Sequence, residues 1–364
     1  MSKNLNPIKR AIGYTLIGLA WVVLLPLLGF FATVTAIYAD LKAPWRHSLT
    51  GGSGLETITR QLYLDYFRPI WQHQPNCMSF DEDLVYVPRI GVARFYGPEF
   101  DTNITIGQDG LRNQPPVPND GRLIVIAGDS QALGWGINDE QTFSAILARK
   151  YHLPTVNAAV PSYGTARELL RLRKLGLLAR ASVIVIQYCE NDADENHDFV
   201  HDPAFIQKRN PREMWDSLQH FKQVEVSYQL VTKTAYHFMG ETRKAKGWHA
   251  LCRQLLFKAG PQTGRLIEAT RPAPVMVADF VSTLDAFPEL QGKTIIVFEV
   301  SGWGEKTNFI PELRKLTAGK PDLITLEVPF VRSDFFRLDD HMNPAGHEQV
   351  AAVVCEAIKP WLRP

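Results

Sequence analysis

Apolar and polar positions follow three different periods along this chain, and each period predicts a different kind of element. Residues 11–39 carry no charge at all. A helix over that span would be roughly 40 Å long, more than the ~30 Å hydrocarbon core of a bilayer, so it can cross with tilt. Pro26 falls mid-span, where membrane helices tolerate it. Residues 40–120 are mixed. Positions 57–67 fit a helix with Leu62, Tyr63 and Tyr66 on one face. Positions 83–106 alternate in places and are broken by Pro88, Gly91, Gly97 and Pro98, which predicts short strands and turns. The aromatic content of 40–120 marks it as an elaboration packed on the domain that follows, entered through the turn-rich stretch 113–121.

Beyond residue 121 short apolar runs alternate with helix-period stretches, the pattern of a parallel sheet layered by helices. The strand candidates are 123–127, 155–158, 183–188, 294–300 and 323–328. Helices are expected over 166–178, with Leu169, Leu172 and Leu175 on one face, and over 346–362. Residues 197–290 are too long for an ordinary crossover. Their helical periodicity around 215–236 and 242–258 predicts an inserted helical cap. The expected organisation is a tail (1–10), a transmembrane helix (11–39), the elaboration (40–120) and an α/β domain (121–364).

Charge and composition sharpen this in two places. With 364 residues, 45% hydrophobic content and a formal charge of +1, the chain has core enough for a large domain and no basic stripe for nucleic acid. Lys3, Lys9 and Arg10 precede the apolar span with no acid among them. The positive-inside rule then puts the amino terminus in the cytoplasm and everything after Asp40 outside, periplasmic in a Gram-negative cell. A signal peptide cleaved near Ala36 is the rival, but the apolar run far exceeds a signal core of roughly 7–15 residues. An extracytoplasmic address permits disulfides among Cys77, Cys189, Cys252 and Cys355. Cys77 with Cys189 is the bridge expected, and Cys355, in an apolar helical run, is expected to be free.

Candidate chemistry follows the strands. After the first, Gly128-Asp129-Ser130 lifts a hydroxyl clear of the sheet edge. After the second comes Pro161-Ser162-Tyr163-Gly164, where glycine lets a backbone N–H approach a ligand. The third leads into Cys189-Glu190-Asn191-Asp192, and the last into Asp339-Asp340-His341. Parallel strands bring their carboxyl ends to one edge, so a hydroxyl, an N–H, an amide and an imidazole with its carboxylate can converge there. Those are the parts of acyl transfer through a tetrahedral intermediate. In this order and context, the residues resemble the four blocks of the SGNH (GDSL) hydrolases over about 121–364.

That resemblance implies a flavodoxin-like three-layer α/β/α fold with a parallel sheet. It implies Ser130 as nucleophile, His341 as base and Asp339 as orienting acid, with Asp340 the alternative register. The oxyanion hole would be the N–H groups of Ser130 and Gly164 and the amide of Asn191. Cys189 departs from the glycine usual at its position. Taken singly, each motif also reads as an ordinary turn or helix cap. His197 and His201 share a helix face near Glu195, Asp198 and Asp202. A solvated rim of the cleft suits them better than a zinc site.

Two function classes remain open. One is an anchored esterase, or an acyltransferase, acting without cofactor or metal on acylated carbohydrate or another ester. The other is a non-catalytic partner of an envelope assembly that docks on another membrane protein. In both, a reporter fused after Pro364 should be active only outside the cytoplasm; cytoplasmic activity of that fusion would overturn the topology.

Overall fold

The computed structural model describes residues 7–42, 48–51, 54–74, 76–113, 123–220, 224–257 and 271–362. The chain forms two compact units, Met1–Phe67 with Val224–Gly260, and Arg68–Gln223 with Pro261–Pro364.

The first unit opens with α1 (Pro7–Lys42), followed by α2 (Gly54–Leu62) and a π-helical turn, Tyr63–Phe67. Within Tyr14–Lys42 an 18-residue window reaches a mean hydropathy of 2.3, and this is the one described helix long and apolar enough to cross a membrane. Its large side chains from Ile12 to Leu28 face outward, and Pro26 does not break it. Toward its end the helix changes character. Val34, Ile37 and Leu41 are buried, together with Ile58 and Leu62 of α2 and with Val231 and Ala235 further along the chain. Asp40, also buried, accepts from Ser48 Oγ (3.0 Å) and from the amides of Leu49 (2.8 Å) and Thr50 (3.0 Å), which turns the chain back toward α2.

The second unit begins with two antiparallel hairpins, β1 (Met78–Asp81) with β2 (Val85–Pro88) and β3 (Gly91–Tyr96) with β4 (Asp101–Ile106). Then come β5 (Leu123–Ala127), α3 (Ser130–Leu133), α4 (Phe143–Lys150), β6 (Thr155–Asn157), α5 (Thr165–Lys174), α6 (Leu177–Arg180) and β7 (Ala181–Tyr188). The long segment after β7 holds α7 (Asp192–His201), α8 (Phe205–Lys208), α9 (Pro211–Gln219), α10 (Tyr228–Phe257) and α11 (Ala273–Asp285). The domain closes with β8 (Thr294–Glu299), α12 (Phe309–Leu316), β9 (Leu323–Leu326) and α13 (Pro344–Leu362).

The five strands β5–β9 form one parallel sheet in the order β6-β5-β7-β8-β9. Helices α4 and α13 pack together on one side, and α5, α7, α11 and α12 pack together as another layer. This is the three-layer α/β/α class with flavodoxin-like order. Its strand order reverses between β6 and β7 around β5, where open sheets of this kind place their sites. The interior strands are buried on both faces: all five residues of β5 are buried, as is every residue of β7 except Ser182.

The 197–290 segment does not form one inserted cap. Its α11 packs on α5, α7 and α12 and is the crossover helix of the α/β domain, while α10 belongs to the first unit. There Tyr228 meets Tyr38 edge-on (5.5 Å between centroids) and lies 3.2 Å from Thr35 Oγ1, and Tyr236 meets Phe30 (6.4 Å). Both segments are helical in period, so periodicity alone could not assign them to different units. Likewise 40–120 divides, since residues up to Phe67 belong to the first unit.

Arg112 joins the β3–β4 hairpin to the sheet. Its backbone bridges Ile106 and Asn157. Its buried guanidinium donates to the carbonyls of Leu133, Gly134 and Ile137 (each 2.7 Å) and to Asp139 Oδ1 (3.0 Å). Burial pulls its pKa down to about 10 despite Asp139. Arg112→Leu would leave the carboxylate and three carbonyls without their donor, and chemical denaturation should show a loss of about 3–5 kcal/mol.

Candidate active site

The nucleophile turn is built around a glycine. Gly128 has φ +149°, and a Cβ there would come within 2.5 Å of Ala132 Cβ and 2.8 Å of Gln187 Oε1. The following amides are then committed one by one. Asp129 N–H and Ala132 N–H donate to Gln187 Oε1 (3.1 and 3.2 Å), and Gln131 N–H donates to Asp129 Oδ1 (2.8 Å). Among the described residues, Ser130 N–H has no protein acceptor, so it stays available to a ligand oxygen. Gln187 is a buried amide inside an otherwise apolar run, and that lone polar position is the signal the sequence offers for it.

Ser130 Oγ lies 2.7 Å from His341 Nε2. On the other side of the ring, Nδ1 lies 2.5 Å from Oδ1 of the fully buried Asp339, which also accepts from the His341 backbone N–H (3.1 Å). Asp340 approaches the same Nδ1 at 3.2 Å and is itself held by Arg68 at 2.8 Å. The histidine loop is tied back to α3 by Gln131, whose amide donates to Asp340 O (3.2 Å) and accepts from Met342 N–H (3.0 Å). The loop after β8 reaches the same edge, with Trp303 N–H donating to Asp340 O (3.1 Å).

Burial alone would lower the His341 pKa, but Asp339 and Asp340 outweigh it and raise it to about 9. Burial also works against the charge of Asp340, yet Arg68 and His341 hold its carboxyl well below the usual range. Of the two acids, Asp339 is therefore the nearer and better enclosed, and Asp340 a second, Arg-held contact.

The three expected oxyanion donors differ in availability. Ser130 N–H is open, as above. Asn191 precedes α7 with an exposed side chain that makes no capping bond. Gly164 N–H is taken: it donates to Glu195 Oε1 at 3.1 Å, and a Cβ at Gly164 would come within 2.8 Å of Glu195 Cβ. The same carboxylate accepts from Arg167 N–H (3.1 Å) and pairs with its guanidinium (2.5 Å), so Glu195 serves as the anionic cap of α5. Two further bonds, Thr165 Oγ1 to Asp192 Oδ2 (2.8 Å) and Ala166 N–H to Asn196 Oδ1 (3.0 Å), lock the starts of α5 and α7 together. Asp192 thus has a structural partner, which sequence adjacency to Asn191 did not reveal.

The expected Cys77–Cys189 bridge is not formed; both are free thiols, as is Cys355. Cys77 is buried beside β1, whereas Cys189 lies near the Asp129 carboxylate of the nucleophile turn. Burial, with Asp129 and Asp192 nearby, pushes the Cys189 thiol far up. Cys252 lies outside the residues whose side chains are described. His197 sits with Nδ1 2.9 Å from Asp279 on α11, and its ring lies 4.1 Å from that of His201. Among the described residues this pair gathers no third ligand, the one dense His/Asp group being Asp339, Asp340 and His341.

No protein-family model matches the chain. No curated protein matches it either. Solved structures similar to part of it include a lipase/acylhydrolase from Enterococcus faecalis, at 15% identity over 67% of this chain and 98% of that one, TM-score 0.37. Another is a Corynascus thermopiles carbohydrate esterase family 2 enzyme with a carbohydrate binding domain, at 13% identity over 69% and 68%, TM-score 0.38. A lipase from a goat-rumen metagenome matches at 12% identity over 65% and 97%, TM-score 0.35. At TM-scores of this size the likeness carries no functional argument, and the chemistry is read from the atoms of this site.

A histidine that must accept a proton works only when neutral. With its pKa raised to about 9, the rate on any ester should climb with pH toward that value. Asp340→Asn removes one of the charges that favour imidazolium, so the His341 pKa should fall and the acid limb of kcat/KM should move to lower pH. A limb that stays in place would show that Asp340 does not act on the imidazole.

Proposed function

We propose that this chain is a membrane-anchored serine esterase that removes ester-linked acyl groups through an acyl-serine intermediate. One observation carries the reading: Ser130 Oγ, His341 and Asp339 are linked in series by bonds of 2.7 and 2.5 Å. Ser130 Oγ attacks the ester carbonyl while its proton passes to His341 Nε2. Asp339 orients the ring and stabilises the imidazolium. The oxyanion is received by Ser130 N–H and the Asn191 amide, and by Gly164 N–H only when Glu195 releases it. Collapse breaks the ester C–O bond, and His341 returns the proton to the leaving alkoxide. Water then attacks the acyl-serine, giving a proton to His341, which restores Ser130 as the acid departs. Every part is a side chain or a backbone amide, so these steps call on no cofactor. Acetyl groups on envelope glycans are the substrate class that suits an outward-facing domain. A glycan hydroxyl in place of water would make the same site an acyltransferase.

Support for an uncleaved anchor comes from the packing of α1. Cleavage at Ala36 would separate Val34 from Ile37, Asp40 and Leu41, cutting through one packed cluster with α2 and α10. A disposable leader has no reason to share its core with the mature chain. The charge pattern of Lys3, Lys9 and Arg10 supports a cytoplasmic amino terminus.

A serine-directed phosphonate should label the full chain at Ser130, and acetylated glycan with and without an added acceptor separates hydrolysis from transfer. Ser130→Ala and His341→Ala should each abolish most activity, with the double variant little worse than either. Asn191→Ala should slow turnover by about 10²–10³-fold. Unlabelled Ser130, with normal turnover in Ser130→Ala, would sink the enzyme reading in favour of an anchored docking partner.

A further inference from the structure

The loop that carries Asp339 and His341 lies outside the named strands and helices, closed by the Phe335–Met342 bridge and Phe336 N–H to His341 O (3.1 Å), yet it must keep a carboxylate on an imidazole nitrogen. Part of what holds it comes from outside the stretch that resembles the hydrolases. The turn between β3 and β4 closes through Gly97 N–H to Phe100 O (2.8 Å). From this turn Glu99 reaches three consecutive amides. Its Oε1 accepts from Arg337 N–H (2.8 Å), and its Oε2 accepts from Leu338 N–H (2.6 Å) and Asp339 N–H (2.9 Å). The neighbouring Phe100 packs on Phe336 (5.4 Å) and on Trp135 (5.8 Å), whose indole in turn lies 6.2 Å from the His341 ring.

We propose that Glu99 is a positioning residue of the catalytic loop, using one carboxylate on three successive backbone amides to set Asp339 against His341. The proposal rests on the esterase reading above. Three amides aimed at one point form an anion-binding concavity, and charge-assisted bonds of this kind are short and strong. A neutral residue could satisfy one or two of them and leave the rest as orphans. Removal from water and the nearby Asp339 raise the Glu99 carboxyl, while the three amides pull it back down; the net direction is up. Glu99 also adds to the negative field at the site. The charged groups facing the His341–Asp339 pair are Asp340 and Glu99, the Arg68 guanidinium, and Asp129 from the nucleophile turn. Glu99 touches neither Ser130 nor His341 directly, so its effect passes through Asp339.

The test is Glu99→Gln in the full chain, which keeps the size and loses the charge and one acceptor. The expected result is a fall in kcat of roughly 10- to 100-fold with KM unchanged, the scale of a small misplacement of a catalytic group. The acid limb of the pH profile should move to lower pH, because a negative charge is lost and Asp339 is less firmly held. A merely structural residue would leave that limb in place. A second readout does not depend on turnover: in ¹⁵N-histidine-labelled protein, the low-field proton of the short His341 Nδ1–Asp339 bond should move upfield or broaden. If the variant does not fold, Glu99→Asp, which keeps the charge but is one methylene short, takes the same measurements. An unchanged resonance with unchanged kcat overturns the clamp while Ser130 labelling leaves the esterase reading intact. If Ser130 is never labelled, the esterase reading falls and the resonance alone still decides the clamp.

Discussion

One hydrogen bond joins Ser130 to His341, two positions 211 residues apart, and the α/β domain is arranged so that this bond can form. Closing so long a loop costs little more than closing a short one, because the entropy grows only with the logarithm of length. The demand lies in precision. Gly128 and Gln187 fix the serine turn from below, and Gln131 reaches from that turn to both neighbours of His341. Both partners are thereby referred to one rigid strand edge.

The same arrangement sets the electrostatics. Two carboxylates on one imidazole nitrogen favour the protonated ring, which opposes its use as a base at neutral pH. Arg68 offsets part of that by occupying Asp340. A resting site of this kind favours imidazolium.

Much of the fold was legible because its strands are buried on both faces. Val183–Ile186 and Ile295–Phe298 read as strands because they are short, unbroken and rich in β-branched residues. The candidate site was read from order: a serine, a glycine and an asparagine follow three successive strands, and a histidine stands at the entry to α13. What stayed hidden was reciprocal. Glu195 on Gly164, Arg68 on Asp340 and Glu99 on residues 337–339 are long-range pairings in which each partner, alone, looks like a surface charge. The split of the 197–290 segment was hidden for a similar reason. Nothing in the periodicity of α10 says that its partner is a helix near the amino terminus, and nothing in that of α11 says that its partner is the sheet layer.

The pairing of α1 with α10 has a consequence for synthesis. Thr35 and Tyr228 are 193 residues apart, so α1 leaves the ribosome long before the helix that covers its far end exists. At about 5–20 residues per second, roughly 10 to 40 s separate the two. Through that interval the buried end of α1, with Val34, Ile37 and Tyr38, waits without its third helix while the first half of the sheet is already being made. The first unit is therefore completed from the middle of the chain, and α1 is made well before it is fully packed.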